Sequence, residues 1–130
     1  MQPSECPCFG DTLDRFLRPS VMAVLARAPG GLHGYLVAQH LLELPIFRGC
    51  PPDPTGLYRV LRTMENEGYL RSVWDREGSA PAKRVYRLTG DGLDCLQHWG
   101  ETLETYAALL QHTVAFVQES ARQSSEGELP

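Results

Sequence analysis

The segment from Asp53 to Thr89 constrains the fold more than any other part of this chain of 130 residues. Residues 53–68 carry apolar side chains at positions i, i+3, i+4 and i+7, which predicts a helix with one buried face. Two short stretches rich in β-branched and aromatic residues follow, separated by a polar turn at 76–81, and they predict a β-hairpin. A helix that enters the major groove, followed by a basic hairpin or wing, is an arrangement with which small domains hold duplex DNA.

Both ends of this helix can be predicted. Asp53 can accept the first free backbone amides, and Pro54 suits the first helical position, where no amide donor is needed. Gly68 is a residue typical of helix ends. The predicted buried stripe consists of Leu57, Val60, Leu61 and Met64.

The opposite face of the helix is polar and cationic, and it carries Tyr58, Arg59, Arg62 and Asn66. Guanidinium groups match phosphate oxygens and guanine edges, and an asparagine amide can read adenine. This face therefore suits a major groove. The alternative is an ordinary surface helix whose polar side is only solvated.

The charge is distributed unevenly along the chain, although its net value is only −4. Residues 48–87 carry eight Lys and Arg against five Asp and Glu, a net charge of +3, whereas residues 88–130 have a net charge of −6. One basic region within an acidic chain is expected when a single face meets phosphate. The net charge therefore does not exclude a nucleic-acid partner.

The remaining residues divide into a small number of predicted segments. Residues 1–12 are expected to form a flexible arm, and helices are expected at about 13–28 and 34–44, with a loop from Pro45 to Pro52. A long helix is expected from about residue 90 to 121, followed by a disordered polar tail at 122–130. We therefore expect a mainly α fold with a small β-hairpin wing and a long C-terminal helix.

The order of these elements resembles the PadR family of bacterial transcriptional regulators. The matching motifs are His33-Gly34-Tyr35, Gly56-Leu57-Tyr58 with Met64-Glu65 and Gly68, and Lys83-Arg84 with Tyr86, Leu88-Thr89 and Gly92. The family commonly has Gly-Thr where this chain has Thr55-Gly56. The resemblance implies a winged helix-turn-helix domain at residues 13–89, and a dimer in which the C-terminal helix crosses that of its partner.

The resemblance and the side-chain chemistry together assign roles in DNA binding. Thr55 or Tyr58 is expected to contact a phosphate, while Arg59 or Arg62 reaches a base. Lys83 and Arg84 are expected to contact the backbone or the minor groove. The hydroxyl of Tyr35 can reach a phosphate, and the alternative for Tyr35 and Tyr86 is core packing, which we favour for Tyr86. Trp74 is expected to pack at the base of the wing.

The long helix is expected to form a dimer, because one exposed helix cannot bury an apolar stripe by itself. The predicted interface residues recur at three- and four-residue intervals: Leu96, Trp99, Leu103, Tyr106 and Leu110. In some relatives, the position of Trp99 lines a pocket between subunits for a flat aromatic effector. Plain interface packing is the alternative, and we favour it.

The cysteines offer candidate ligands without a complete site. Cys6 and Cys8 form a Cys-x-Cys pair, Cys50 precedes a proline, and Cys95 lies three residues before His98. A tetrahedral zinc site needs about four ligands with supporting spacing, so neither a metal site nor a cofactor is expected. An inert arm with a buried Cys95 is favoured over a thiol or metal sensor.

These observations predict a cytoplasmic, sequence-specific DNA-binding regulator, a dimeric repressor that binds an inverted-repeat operator and is released by a small-molecule, redox or metal signal. The alternative is a winged-helix adaptor that contacts proteins instead of specific DNA. No phosphate-binding glycine loop or catalytic motif is recognised, so an enzyme is not expected. No apolar stretch approaches the length of a membrane span, so no membrane partner is expected. The operator, the target genes and the effector cannot be identified from the sequence.

Overall fold

The structure is a computed structural model that describes residues 16–48, 52–78 and 81–126. The chain divides into two units, one up to Leu96 and one from Gln97 onward. Its elements in chain order are α1 (Leu17–Ala26), β1 (Leu32–His33), α2 (Gly34–Leu41), α3 (Pro45–Arg48), α4 (Pro54–Asn66), β2 (Leu70–Asp75), β3 (Lys83–Leu88) and α5 (Gly90–Glu126). The predicted mainly helical fold with a hairpin and a long C-terminal helix is confirmed.

The first unit has one apolar core, to which α1, α2 and α4 contribute their buried faces. Three of the four residues of the predicted α4 stripe are fully buried, and Val60 is half-buried. Because one side of α4 is buried in this way, the residues between the stripe positions face outward. The fully buried side chains of the core are Val21, Met22, Leu25, Val37, Leu41, Leu57, Leu61 and Met64.

The start of α4 follows the predicted capping chemistry. Asp53 has an extended backbone conformation, and its Oδ2 accepts a hydrogen bond of 3.1 Å from the backbone N–H of Gly56. Pro54 occupies the first turn, where its missing amide costs no hydrogen bond. The Thr55-Gly56 order therefore leaves the helix start where the sequence predicted it.

The end of α4 is fixed by a glycine turn and by an ion pair. Gly68 has a φ of +88°, a conformation that side chains with a Cβ rarely adopt. Beside it, Arg18 of α1 donates two hydrogen bonds of 3.0 and 3.1 Å to the carboxylate of Glu67. These bonds hold the pKa of Glu67 below its usual value, and they join α1 to the end of α4.

The wing belongs to a three-stranded antiparallel sheet with the order β1-β3-β2. β2 and β3 pair without interruption from Leu70 opposite Leu88 to Asp75 opposite Lys83. The short strand β1 pairs with β3 on its other side, so that His33 lies opposite Val85. The sequence predicted only β2 and β3, because a two-residue strand is too short to show alternation.

Two predicted boundaries near the N-terminus are corrected. α2 ends at Leu41 rather than Leu44, and the segment expected to be a loop contains α3. Pro45 begins α3, which is consistent with the preference of proline for the first helical position. Phe47 of α3 is buried. The predicted arm at 1–12 and the first residues of the predicted first helix lie outside the described residues.

The long helix α5 continues to Glu126, beyond the predicted end near residue 121. Residues 122–126 of the predicted disordered tail are therefore helical. Side-chain pairs one turn apart stabilise this end of the helix, because Glu119 forms an ion pair with Arg122 and accepts a hydrogen bond of 3.2 Å from Gln123.

Thr89 connects the start of α5 to the turn that follows α4. Its hydroxyl donates a hydrogen bond of 2.7 Å to the carbonyl of Gly68 and accepts one of 3.0 Å from the N–H of Gly92. Its backbone N–H also donates to the carbonyl of Tyr69. Thr89 is therefore the N-terminal cap of α5 and a link between the end of α4 and the sheet.

Gly34, the first residue of α2, allows a close approach of the α4 side chain Tyr58. A Cβ atom at position 34 would lie 2.5 Å from Cε1 of the Tyr58 ring and 2.9 Å from its hydroxyl oxygen. These separations are too short for non-bonded atoms. The absence of a side chain at position 34 therefore leaves the space that the Tyr58 ring occupies.

Replacing Asp53 with alanine is expected to lower the free energy of unfolding by about 1 kcal/mol, because the N–H of Gly56 loses its side-chain acceptor. Asp53→Asn is the matched control, because asparagine keeps an acceptor oxygen and caps helices as well as aspartate. Urea denaturation followed by circular dichroism measures both variants. An Asp53→Ala protein as stable as the wild type would contradict the capping role.

Gly34→Ala is expected to push the exposed Tyr58 ring out of its position, at a cost in the free energy of unfolding of no more than about 1 kcal/mol, because the ring can rotate toward solvent. In a Tyr58→Ala background the same change should cost much less, because the ring that the new methyl group meets is gone. A double-mutant cycle by urea denaturation measures this coupling. Additive effects of the two substitutions would show that the Tyr58 ring does not depend on Gly34.

Candidate nucleic-acid interface

The outward face of α4 collects the polar residues that the sequence predicted for it. Thr55, Tyr58, Arg59 and Arg62 are all exposed and line one shallow groove along the helix. Within the part of the chain that the structure describes, neither arginine forms an ion pair. Both guanidinium groups are therefore free to bind an external acceptor.

A cleft of about 410 Å³ lies between α4, the start of α2 and the wing. We call it the wing cleft, and it is lined by His33, Gly34, Tyr35, Tyr58, Arg62, Trp74, Ala82, Lys83, Arg84 and Tyr86. Five of the seven residues predicted for DNA contact meet here, while Thr55 and Arg59 lie on the adjoining α4 face. The fold therefore brings together residues from three separate parts of the sequence.

Tyr35 and Tyr86, for which core packing was the alternative role, differ in burial. Tyr86 is buried at 6% exposure, as favoured, and burial raises the pKa of its hydroxyl although Arg84 and Arg62 oppose the shift. Tyr35 is 64% exposed, so the core alternative is wrong for this residue. Tyr86 therefore lies at the bottom of the wing cleft, and the Tyr35 side chain lies at its rim.

Trp74 does not pack at the base of the wing as predicted. Its side chain is 51% exposed and lies opposite Arg84 in the hairpin. The guanidinium carbons of Arg84 and Arg76 lie 5.1 and 5.9 Å from the centre of the indole ring, within the range of cation–π attraction. Flanking arginines rather than core contacts therefore hold this ring beside the wing cleft.

An ion pair that the sequence did not predict joins β1 to the end of β2. His33 Nε2 lies 3.2 Å from Oδ2 of Asp75, and the backbone N–H of Glu77 donates to the other carboxylate oxygen. The hydrogen bonds from Glu77 and from His33 hold the pKa of Asp75 below its usual value. The only sequence signal for this role was the presence of His33 in the motif beside Gly34 and Tyr35.

The structure adds little to the proposed thiol or metal sites at the cysteines. Cys6, Cys8 and Cys50 lie outside the described residues, and Cys95 is a free, half-buried thiol. No group of three or more His, Cys, Asp or Glu in the described ranges could hold a metal ion.

The predicted interface residues of α5 differ in exposure. Leu96, Trp99 and Leu103 are half-buried, whereas Tyr106 and Leu110 are 46% and 56% exposed. Further exposed apolar side chains follow on the same helix: Leu109, Val114, Phe116 and Val117. No described helix has the length and apolarity needed to cross a membrane.

Solved structures with the same fold come from several organisms. A transcriptional regulator from Clostridium thermocellum is 18% identical with a TM-score of 0.66, and the alignment covers 78% of this chain and 93% of that one. A PadR family transcription regulator from Clostridium difficile is 17% identical with a TM-score of 0.62, covering 76% and 98%. A PadR family transcriptional regulator from Eggerthella lenta is 24% identical with a TM-score of 0.62, covering 82% and 88%.

Sequence comparison gives the family. No curated protein matches the chain. The sequence profile of the transcriptional regulator PadR-like family matches residues 21–98, more than half of the chain, from within α1 through the wing to the first turns of α5. The chain therefore belongs to the PadR-like family of transcriptional regulators, which are DNA-binding proteins rather than enzymes, as the sequence predicted.

Proposed function

We propose that this chain is a dimeric repressor in the cytoplasm that binds an inverted-repeat operator in duplex DNA. The observation that carries the proposal is the continuity of the exposed α4 face with the wing cleft, which together hold all seven predicted contact residues. Cationic side chains on both surfaces match the negative charge of a DNA backbone. The fold and the family support binding to DNA. Repression, the inverted-repeat operator and dimerisation are the parts that we propose.

In this proposal α4 enters the major groove. Arg62 contacts a base edge, and Thr55 and Tyr58 position the helix through phosphates. Arg59 and Arg62 are exposed without an ion pair among the described residues, so no internal partner must be displaced when DNA binds. Tyr35, at the first turn of α2, adds a hydroxyl at the rim of the wing cleft.

The wing contacts the backbone beside the groove that α4 occupies. Arg84 and Lys83 at the start of β3 supply the charge, and the pairing of β3 with both neighbouring strands holds them in place. The His33–Asp75 ion pair ties the end of β2 to β1, which limits movement of the hairpin relative to α2. Such contacts fix the position of a protein on DNA without reading sequence.

The apolar residues of α5 support the dimer. About half of the surface of four apolar side chains on α5 is exposed, those of Tyr106, Leu110, Val114 and Val117. Apolar surface that stays in water does not stabilise an isolated helix. A second copy buries this stripe and places two α4 helices on one operator, which gives half-sites about one helical turn apart.

The signal that releases the operator belongs to one of three classes. A flat aromatic effector beside Trp99 is the first, because this half-buried ring lies within the α5 stripe. Oxidation of a thiol and binding of a metal ion are the others, and both would act through the cysteines. Purified protein exposed to each signal in turn, with operator binding as the readout, separates the three.

Arg62→Ala is expected to weaken binding to the specific operator by about 1–3 kcal/mol, because a base contact is lost. Fluorescence anisotropy with an operator duplex and a scrambled duplex, each at two salt concentrations, measures the loss. A uniform small loss on both duplexes would make Arg62 a phosphate contact, and no loss would remove it from the interface. Arg71→Ala is the matched control, because Arg71 is an exposed arginine of β2 that has no ion pair within the described ranges and does not line the wing cleft.

Leu103→Glu is expected to convert the dimer into a monomer, because a carboxylate would be buried in the apolar α5 stripe. Light scattering gives the mass in solution, and circular dichroism tests whether the helix persists. Thr105→Glu is the matched control, since it adds the same charge two positions along, away from the stripe. A Leu103→Glu protein that keeps the dimer mass contradicts the proposed interface.

A further inference from the structure

The wing cleft holds more aromatic surface than contact with a DNA backbone requires. Phosphates are bound by cations, hydroxyls and amides, and flat apolar rings add little to such contacts. Yet four of the ten residues that line the cleft are aromatic: Tyr35, Tyr58, Trp74 and Tyr86. Three of these rings, those of Tyr35, Tyr58 and Trp74, are exposed beside cationic side chains, an arrangement that is typical of proteins that stack unpaired bases.

Trp74 is the strongest of these stacking surfaces. Its indole is 51% exposed, and the guanidinium groups of Arg84 and Arg76 lie over the ring, 5.1 and 5.9 Å from its centre, so a base that stacks there displaces one of them. Tyr58 adds a second exposed ring, for which the bare backbone of Gly34 leaves room. An unpaired base therefore has two exposed aromatic rings within reach in the wing cleft.

The charges of the cleft favour a phosphate. Arg62 and Arg84 form no ion pair among the described residues, whereas Lys83 lies opposite Asp75 in the hairpin. None of the ten residues that line the cleft has a carboxylate. The two nearby carboxylates are already engaged, Asp75 with His33 and Glu65 with the hydroxyl of Ser72.

We propose that the wing cleft binds a single nucleotide with an unpaired base, which stacks on Trp74 while Arg62 and Arg84 hold its phosphate. The volume of about 410 Å³ is within the range of small-ligand sites. Two sources offer this chemistry, a free mononucleotide and a nucleotide within a single strand. Paired bases of an intact duplex cannot reach the Trp74 ring, so the nucleotide and the operator compete for the same cationic side chains.

The inference goes beyond the proposed function and is tested without any operator. The full chain, labelled with ¹⁵N, is titrated with adenosine 5′-monophosphate and, separately, with a single strand of ten deoxyadenosines. The chain has two tryptophans, and comparison with Trp74→Phe assigns their two indole N–H signals. We expect a saturable shift of the Trp74 signal, and a much smaller shift with ribose 5-phosphate, which lacks a base.

Calorimetric titration of variants with the same two probes, and with adenosine as a probe without a phosphate, tests the named side chains. Trp74→Ala should weaken binding at least about fivefold, because base–aromatic stacking contributes that much or more. Trp74→Phe should keep part of the affinity, and Arg84→Gln should weaken binding of the monophosphate but not of adenosine. Arg71→Gln removes one exposed arginine outside the cleft and should change neither.

The two probes separate the sources of the nucleotide. Similar affinity for the monophosphate and for the single strand supports a free nucleotide, and a strand that binds at least tenfold tighter supports single-stranded nucleic acid. If neither probe shifts the Trp74 signal, or if Trp74→Ala and Arg84→Gln bind as tightly as the wild type, the inference is wrong. Operator binding without nucleotide binding overturns this inference alone, whereas nucleotide binding without operator binding overturns only the proposed repressor.

Discussion

The candidate nucleic-acid interface depends on the burial of one side of α4. Leu57, Leu61 and Met64 are almost completely removed from solvent, and the fixed periodicity of a helix then turns Tyr58 and Arg62 outward. A small domain is stabilised by only a narrow margin, so a change that releases this side of α4 would affect the whole first unit. The orientation of the candidate binding residues is therefore a result of core packing.

α4 and the hairpin could be predicted because their signals are local. The cap at Asp53, the proline after it and the turn at Gly68 all lie within the helix that they delimit. β1 could not be predicted, because two residues show no period. It forms because β3 has an unpaired edge, and only the folded chain brings this edge to His33. The segment that contains α3 was expected to be a loop, yet Pro45 occupies the first position of a short helix.

The residue types of the candidate site could be predicted, but their grouping into a cleft could not. Five predicted residues meet there because strand register and helix packing bring distant segments together. Trp74 was expected to pack at the base of the wing, yet its side chain is 51% exposed and the guanidinium group of its cross-strand neighbour Arg84 lies over the ring beside the cleft. The His33–Asp75 pair spans 42 positions, and no local pattern reports such a contact.

The sheet also indicates an order of folding. β2 and β3 face each other across a short turn, so their pairing closes a small loop and costs little chain entropy. The pairing of Leu32 with Tyr86 joins residues 54 positions apart and requires the intervening helices to have come together first. The wall of the wing cleft that His33 and Gly34 provide is therefore completed late. A chain whose hairpin has formed, with Lys83 and Arg84 in place, therefore still lacks one wall of the wing cleft until the helices have packed.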